Sequence, residues 1–182
     1  MRIKAVLALT VASLAVAAAA GADPAISLSL PDTSRTTTAV AVIIEQVLVT
    51  VPATITFAVT DISVATPSTV ASPVSVTNIV LATLTKQLKI SIKAGGLTFT
   101  GSTTPFNASD IRWTGGTWTN AISQPSGGTG LTTTYKEIAT CTAGALACAT
   151  TDAVFSLASN TSIALSGTQS LTISWKFESI GL

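Results

Sequence analysis

Apolar and polar residues alternate most strictly near the end of the chain, over Leu171-Thr172-Ile173-Ser174-Trp175-Lys176-Phe177-Glu178. A strand repeats its side-chain direction every two residues, whereas a helix would scatter these four apolar residues around its circumference. The stretch therefore predicts a strand with Leu171, Ile173, Trp175 and Phe177 on a core, Trp175 as an anchor there, and the other four in water. So near the terminus, it is also expected at or next to a sheet edge.

The same period recurs upstream. Ala25 to Leu30 alternates, with Ile26, Leu28 and Leu30 on one face, before Pro31-Asp32 and the polar run Thr33 to Thr38 break the pattern. Ala39 to Val51 is dense in Val and Ile and predicts a long strand, kinked near Glu45 where the apolar phase shifts. Pro52 ends it, and Thr54 to Val59 resumes with Ile55, Phe57 and Val59 on one face. Asp61 to Pro73 reads as a surface loop. Val74 to Ala82 and Leu84 to Lys93 predict antiparallel neighbours around a turn near Thr83 to Lys86, with Leu88, Ile90 and Ile92 inward and Lys89, Ser91 and Lys93 outward. Gly95-Gly96 turns the chain into Leu97 to Thr100.

In Asp110 to Ile122, Gly115-Gly116 predicts a two-residue type I′ hairpin, because both glycines can take positive φ. Counting outward then sets Trp113 opposite Trp118. Further strands are expected at Leu131 to Ile138, Ala153 to Ala158 and Ser162 to Leu165. Short strands with turn signals between them give an all-β chain, an antiparallel β-sandwich of about eight to ten strands with no helix required.

The N-terminus changes the picture of where this sandwich resides. Arg2 and Lys4 precede an apolar, small-residue stretch from Ala5 to Ala20, and Ala20-Gly21-Ala22 is an A-x-A site before Asp23. These features predict a secretory signal peptide over residues 1–22, an N-terminal strand and Thr-rich connector over 23–38, and the sandwich over 39–182. The run is short for a bilayer span, so no integral membrane segment is expected after cleavage, and the destination is extracellular or the cell surface after periplasmic transit. Setting aside Arg2 and Lys4, seven basic residues face eight acidic ones, which gives no basic patch for a nucleic acid. Charged residues are only 9% of the chain, and a weakly charged surface resists self-association poorly.

Cys141 and Cys148 enclose a short segment containing Gly144, and in an oxidising compartment they predict a local disulfide. The chain has no histidine, which removes the commonest general base and metal ligand and excludes Ser-His-Asp and Cys-His catalysis. The acids are scattered singly, leaving a pair of distant carboxylates as the remaining route to a hydrolase. The expectation is a non-enzyme with no catalytic residues, no cofactor and no metal. Trp113, Trp118 and Tyr135 are candidate glycan contacts through stacking, but Trp113 and Trp118 share their predicted face with Ile111 and Ile122, which favours core packing for both indoles.

Taken together, Val49-Thr50-Val51-Pro52-Ala53-Thr54-Ile55-Thr56-Phe57, the Gly115-Gly116-Thr117-Trp118 turn and the strand from Gly167 to Phe177 resemble the exported immunoglobulin-like β-sandwich domains of bacterial surfaces, of the type found in fimbrial subunits and adhesins. Two features depart from that pattern: the cysteines lie close together and late, and the penultimate residue is Gly181 instead of an aromatic. The resemblance therefore does not extend to chaperone-dependent assembly. It implies a structural or adhesive surface protein. The expected function is a self-associating subunit of an extracellular filament or matrix, with Ile26, Leu28 and Leu30 as an assembly strand that is either added to a neighbour or paired within its own sandwich. The alternative is a non-catalytic glycan-binding module.

Overall fold

A computed structural model describes residues 39–181, and the expected signal peptide and the Ala25 to Leu30 strand lie outside the described residues. The chain divides into two units at Ala41 and Val42, and the fold below is that of the second. It is all-β and antiparallel, with no α-helix among the described residues and a single 3-10 turn at Ala108–Asp110.

Eleven strands are present among the described residues: β1 (Gln46–Thr50), β2 (Thr66–Pro67), β3 (Val74–Val80), β4 (Gln87–Ala94), β5 (Ile111–Trp113), β6 (Trp118–Thr119), β7 (Ala121–Ser123), β8 (Lys136–Cys141), β9 (Cys148–Thr150), β10 (Phe155–Leu157) and β11 (Ile173–Ile180). They form three sheets, in the orders β1-β3-β9-β6, β11-β4-β8-β7 and β2-β10-β5. The sandwich expected from the alternation is thus observed.

The longest pairing joins β4 to β11, where Ile90, Ile92 and Ala94 stand opposite Phe177, Trp175 and Ile173. Opposed residues share a face. The outer face of the same ladder sets Lys89 against Glu178, with the ammonium 3.2 Å from the carboxylate. β3 buries Val74 and Val76 and then Ile79, a change of parity. Asn78 produces it by taking φ 52°, a region that Asn enters more readily than most residues, and the β1 register shifts opposite it between Gln46 and Leu48. The core between the sheets is closed by Leu131, Ile138, Ile111 and Phe155, each 2% exposed or less. Cys141 and Cys148 form a buried disulfide that links the end of β8 in one sheet to the start of β9 in another.

Several expected elements are corrected. β3 and β4 are not a hairpin; they belong to different sheets, because Val76 pairs with Cys148 while Ile90 pairs with Ala139 and Phe177. The Gly115-Gly116 hairpin does not form either. Trp113 stands opposite Phe155 and Trp118 opposite Thr150, so the chain crosses from one sheet to another at these glycines and only Gly115 has positive φ. The long strand expected from Ala39 shrinks to Gln46–Thr50, with the break at Glu45. Thr54 to Val59, Leu97 to Thr100 and Ser162 to Leu165 are not named strands. Phe57, Thr98 and Thr100 make only isolated bridges, to Ser68, Asn107 and Ser170. The strand expected from Leu131 begins at Lys136, and the loop expected over Asp61 to Pro73 contains β2.

Candidate functional site

The described chain opens along one side. β1 ends one four-stranded sheet and β11 ends the other, so among the described residues each has one hydrogen-bonded neighbour. Near these two edges lies a cleft of about 990 Å³. Its walls come from the segment Pro52 to Val59, which follows β1, and from Ile163 to Ile173 with Trp175, which lead into and begin β11. Ile55 and Phe57 alternate as a strand would, yet lack a partner strand beyond the one bridge to Ser68.

The floor of the cleft is the core itself: Phe106, Ile111 and Leu157 line it and are 6%, 2% and 3% exposed. Phe99 meets Phe106 edge to face at 6.1 Å between ring centroids, the geometry favoured by the aromatic quadrupole. No lining residue carries a charge. The inward residues of β11 show the effect of the opening. Their partners on β4, Ile90, Ile92 and Ala94, are buried, whereas Ile173, Trp175 and Phe177 are only half-buried. Trp175 packs against the core, as expected of an anchor, but is only half-buried. The strand's position at a sheet edge supplies the reason: among the described residues it has a neighbour on one side alone.

At the far end of the same strands sits Glu45. Its Oε1 accepts hydrogen bonds from the Ala82 backbone N–H at 2.6 Å, the Lys86 ammonium at 2.9 Å and the Ser179 hydroxyl at 3.2 Å. This carboxylate fastens the entry of β1 to the turn before β4 and to the end of β11. The Lys86 ammonium, helped by the Ala82 N–H, holds its carboxyl below the usual carboxylate range. A depressed folded value means that the fastening is complete at neutral pH and is lost as pH falls through that lowered value. The Ala82 amide resonance is therefore expected to titrate with a midpoint below the unfolded glutamate value of about 4.3. Glu45→Gln should abolish that titration; a midpoint at or above the unfolded value would contradict the fastening.

The candidate glycan residues do not come together. Trp113 is 2% exposed, lies 6.4 Å from the Phe155 ring, and its indole N–H donates to the Gln124 carbonyl at 2.7 Å. Trp118 is half-buried against the core on a different sheet. Tyr135, just before β8, is exposed, with the ammonium groups of Lys93 and Lys176 at 4.9 and 5.7 Å from its ring centroid. Trp113 thus has no open face for a sugar ring, and the Tyr135 ring is flanked by cations.

All six carboxylates among the described residues already have partners within the fold. Glu45 is described above; Asp61 accepts from Ser63, Asp110 from Asn107 and Asn160, Glu137 from Thr140, and Asp152 from Ser72 and Val154. Glu178 accepts from Lys176 and pairs with Lys89, and these two ammonium groups lower its pKa. Among the described residues, no three acidic or cysteine side chains converge on a point where a metal could sit, and no helix is long and apolar enough to cross a membrane.

Sequence reasoning placed Ile55, Phe57 and Trp175 on apolar faces but did not assemble them into a cleft with Phe99, Ile163 and Leu171. The available signal was the alternation of Thr54 to Val59 ahead of a Pro- and Ser-containing stretch with no obvious partner. No protein-family model, no curated protein and no solved structure matches the chain.

Proposed function

We propose that the protein is a secreted structural subunit that self-associates at or near the cell surface, each copy laying its Ile26 to Leu30 strand into the apolar cleft beside β11 of another copy. The observation that carries this reading is the uncharged cleft of about 990 Å³ that reaches the core next to a strand edge with no partner among the described residues. An open edge offers a row of backbone donors and acceptors, and an extended segment that adds to it gains main-chain hydrogen bonds while its alternate side chains fill the groove. Ala25 to Leu30 has the matching pattern: Ile26, Leu28 and Leu30 on one face, Ser27 and Ser29 on the other, and no charge. Six extended residues span about 20 Å, comparable with the eight-residue β11. The same reading takes the sandwich as immunoglobulin-like and short of one strand at this edge.

Leu28→Asp tests it. A carboxylate in the middle of the strand would have to be desolvated in an uncharged groove, which costs several kcal/mol for a buried ion. The mature wild-type chain, from Asp23 onward, is expected to form species larger than a monomer in sedimentation and by electron microscopy. The Leu28→Asp chain should remain monomeric with an unchanged circular dichroism spectrum. Equal assembly of the two, or a wild-type chain that stays monomeric at high concentration, would sink the proposal.

A further inference from the structure

The cleft and the entry to β1 stand at opposite ends of the same two strands. Glu45, at the entry to β1, is bonded to Ser179 near the C-terminal end of β11, whereas Ile173 and Trp175 wall the cleft at the N-terminal end. On the other wall the cleft begins at Pro52, beyond the far end of β1. At roughly 3.3 Å per residue, either route puts about 20 Å between the entry to β1 and the cleft.

Immediately before Glu45, Val42, Ile43 and Ile44 are 86%, 75% and 64% exposed. They belong to the uncharged run Ala39 to Ile44, and consecutive exposed β-branched residues of this kind mark an interaction surface. At the other end of the sandwich, the cleft is lined in part by Leu165, itself 53% exposed. Among the described residues, apolar side chains are therefore exposed at both ends of these strands.

We propose that Val42, Ile43 and Ile44 of one copy dock against the mouth of the next copy's cleft, beside Leu165, so that copies join head to tail in an open series. This rests on the strand-addition reading above. Connectivity supports the occupant: if Ile26, Leu28 and Leu30 enter a neighbour, the eleven residues between Leu30 and Val42 reach about 40 Å at full extension, which keeps that neighbour within range of Val42 to Ile44. The neighbour holding the strand is thus a surface that Val42 to Ile44 can meet. Because the entry to β1 and the cleft are different surfaces, the contact is heterologous, and it propagates as an open series where the rotation between copies closes neither a ring nor a reciprocal exchange of arms.

The test compares the mature wild-type chain with a Val42→Asp/Ile44→Asp variant. Both positions are exposed, so the fold should be retained, as checked by circular dichroism. The concentration at which assembly begins is expected to rise about tenfold or more, while a labelled peptide of residues 25–30 binds the monomeric variant as it binds the wild type. Assembly unchanged by the substitutions would overturn the docking and leave strand addition standing. Loss of peptide binding in the variant alone would also overturn it, since the substitutions would then be acting on the cleft. A wild-type assembly that stops at the mass of two copies would overturn the head-to-tail arrangement. A peptide that binds neither chain would remove the strand-addition reading and the docking with it.

Discussion

Trp113→Ala is expected to lower the stability of the sandwich by about 3–5 kcal/mol, the range for truncating a large buried aromatic side chain. The indole is 2% exposed and packs beside Phe155, its register partner on β10. Two further losses add to the cavity. The Gln124 carbonyl would lose the indole N–H that reaches it at 2.7 Å, a smaller loss because Gln124 is exposed and water can replace the donor. The Ser126 hydroxyl, which accepts from the Trp113 backbone N–H, would sit beside an empty space in place of a ring. Chemical denaturation of the monomeric chain, followed by circular dichroism, measures the effect. Trp118→Ala, at a half-buried position, is the internal comparison and should cost less. Equal losses at the two positions would contradict the burial difference between them.

Gly116→Ala should be nearly as damaging, by about 3 kcal/mol or more, through overpacking against backbone that cannot relax. An added Cβ would collide with the Asp152 carbonyl oxygen and come within 3.1 Å of the Thr150 hydroxyl oxygen. Neither group is free to withdraw. The Thr150 hydroxyl bonds the Thr117 carbonyl at 2.8 Å and the Asp152 carbonyl at 2.9 Å, and the Asp152 carboxylate receives the Ser72 and Val154 N–H groups. The same substitution at Gly128, where nothing lies within 4 Å of an added Cβ and φ is not in the left-handed region, should be almost silent. A soluble, equally stable Gly116→Ala chain would show that the close approach at this crossing is not needed.

These two substitutions fall where local pattern and long-range pairing part company. The strands β4 and β11 were legible because their residues alternate, which sets the inward face, but burial departs from that alternation: Ser91, expected outward, is 4% exposed, and Ile173, Trp175 and Phe177 are only half-buried. The choice of partner was not legible, since it depends on residues far away in sequence. Gly115-Gly116 carries a true turn signal, but Trp113 finds Phe155 and Trp118 finds Thr150, so the glycines serve a passage between sheets in place of a hairpin. Thr54 to Val59 has a strand's alternation and no adjacent strand to hold it, so it forms only the Phe57 bridge. Asn78 hid a bulge inside β3, because nothing in Val74 to Val80 other than that one residue announces a positive φ. The cleft was half legible: its apolar residues could be named individually, but their partial exposure is a property of what does not cover them. Cys141 and Cys148 were readable from their close spacing together with the expected export, and the disulfide between them is present.

That disulfide sits at a mechanically telling position. In the orders β1-β3-β9-β6 and β11-β4-β8-β7, the bonded cysteines belong to the third strand of each sheet, counted from the open edges. In a series of copies pulled lengthwise, tension would enter at β11 and leave through β1, so it must pass from one sheet to the other inside every copy. The Cys141–Cys148 bond offers a covalent shortcut around the Thr142 to Ala147 loop at that crossing. A hydrophobic interface alone would then not have to resist shear, and reduction would weaken the copy under load far more than at rest.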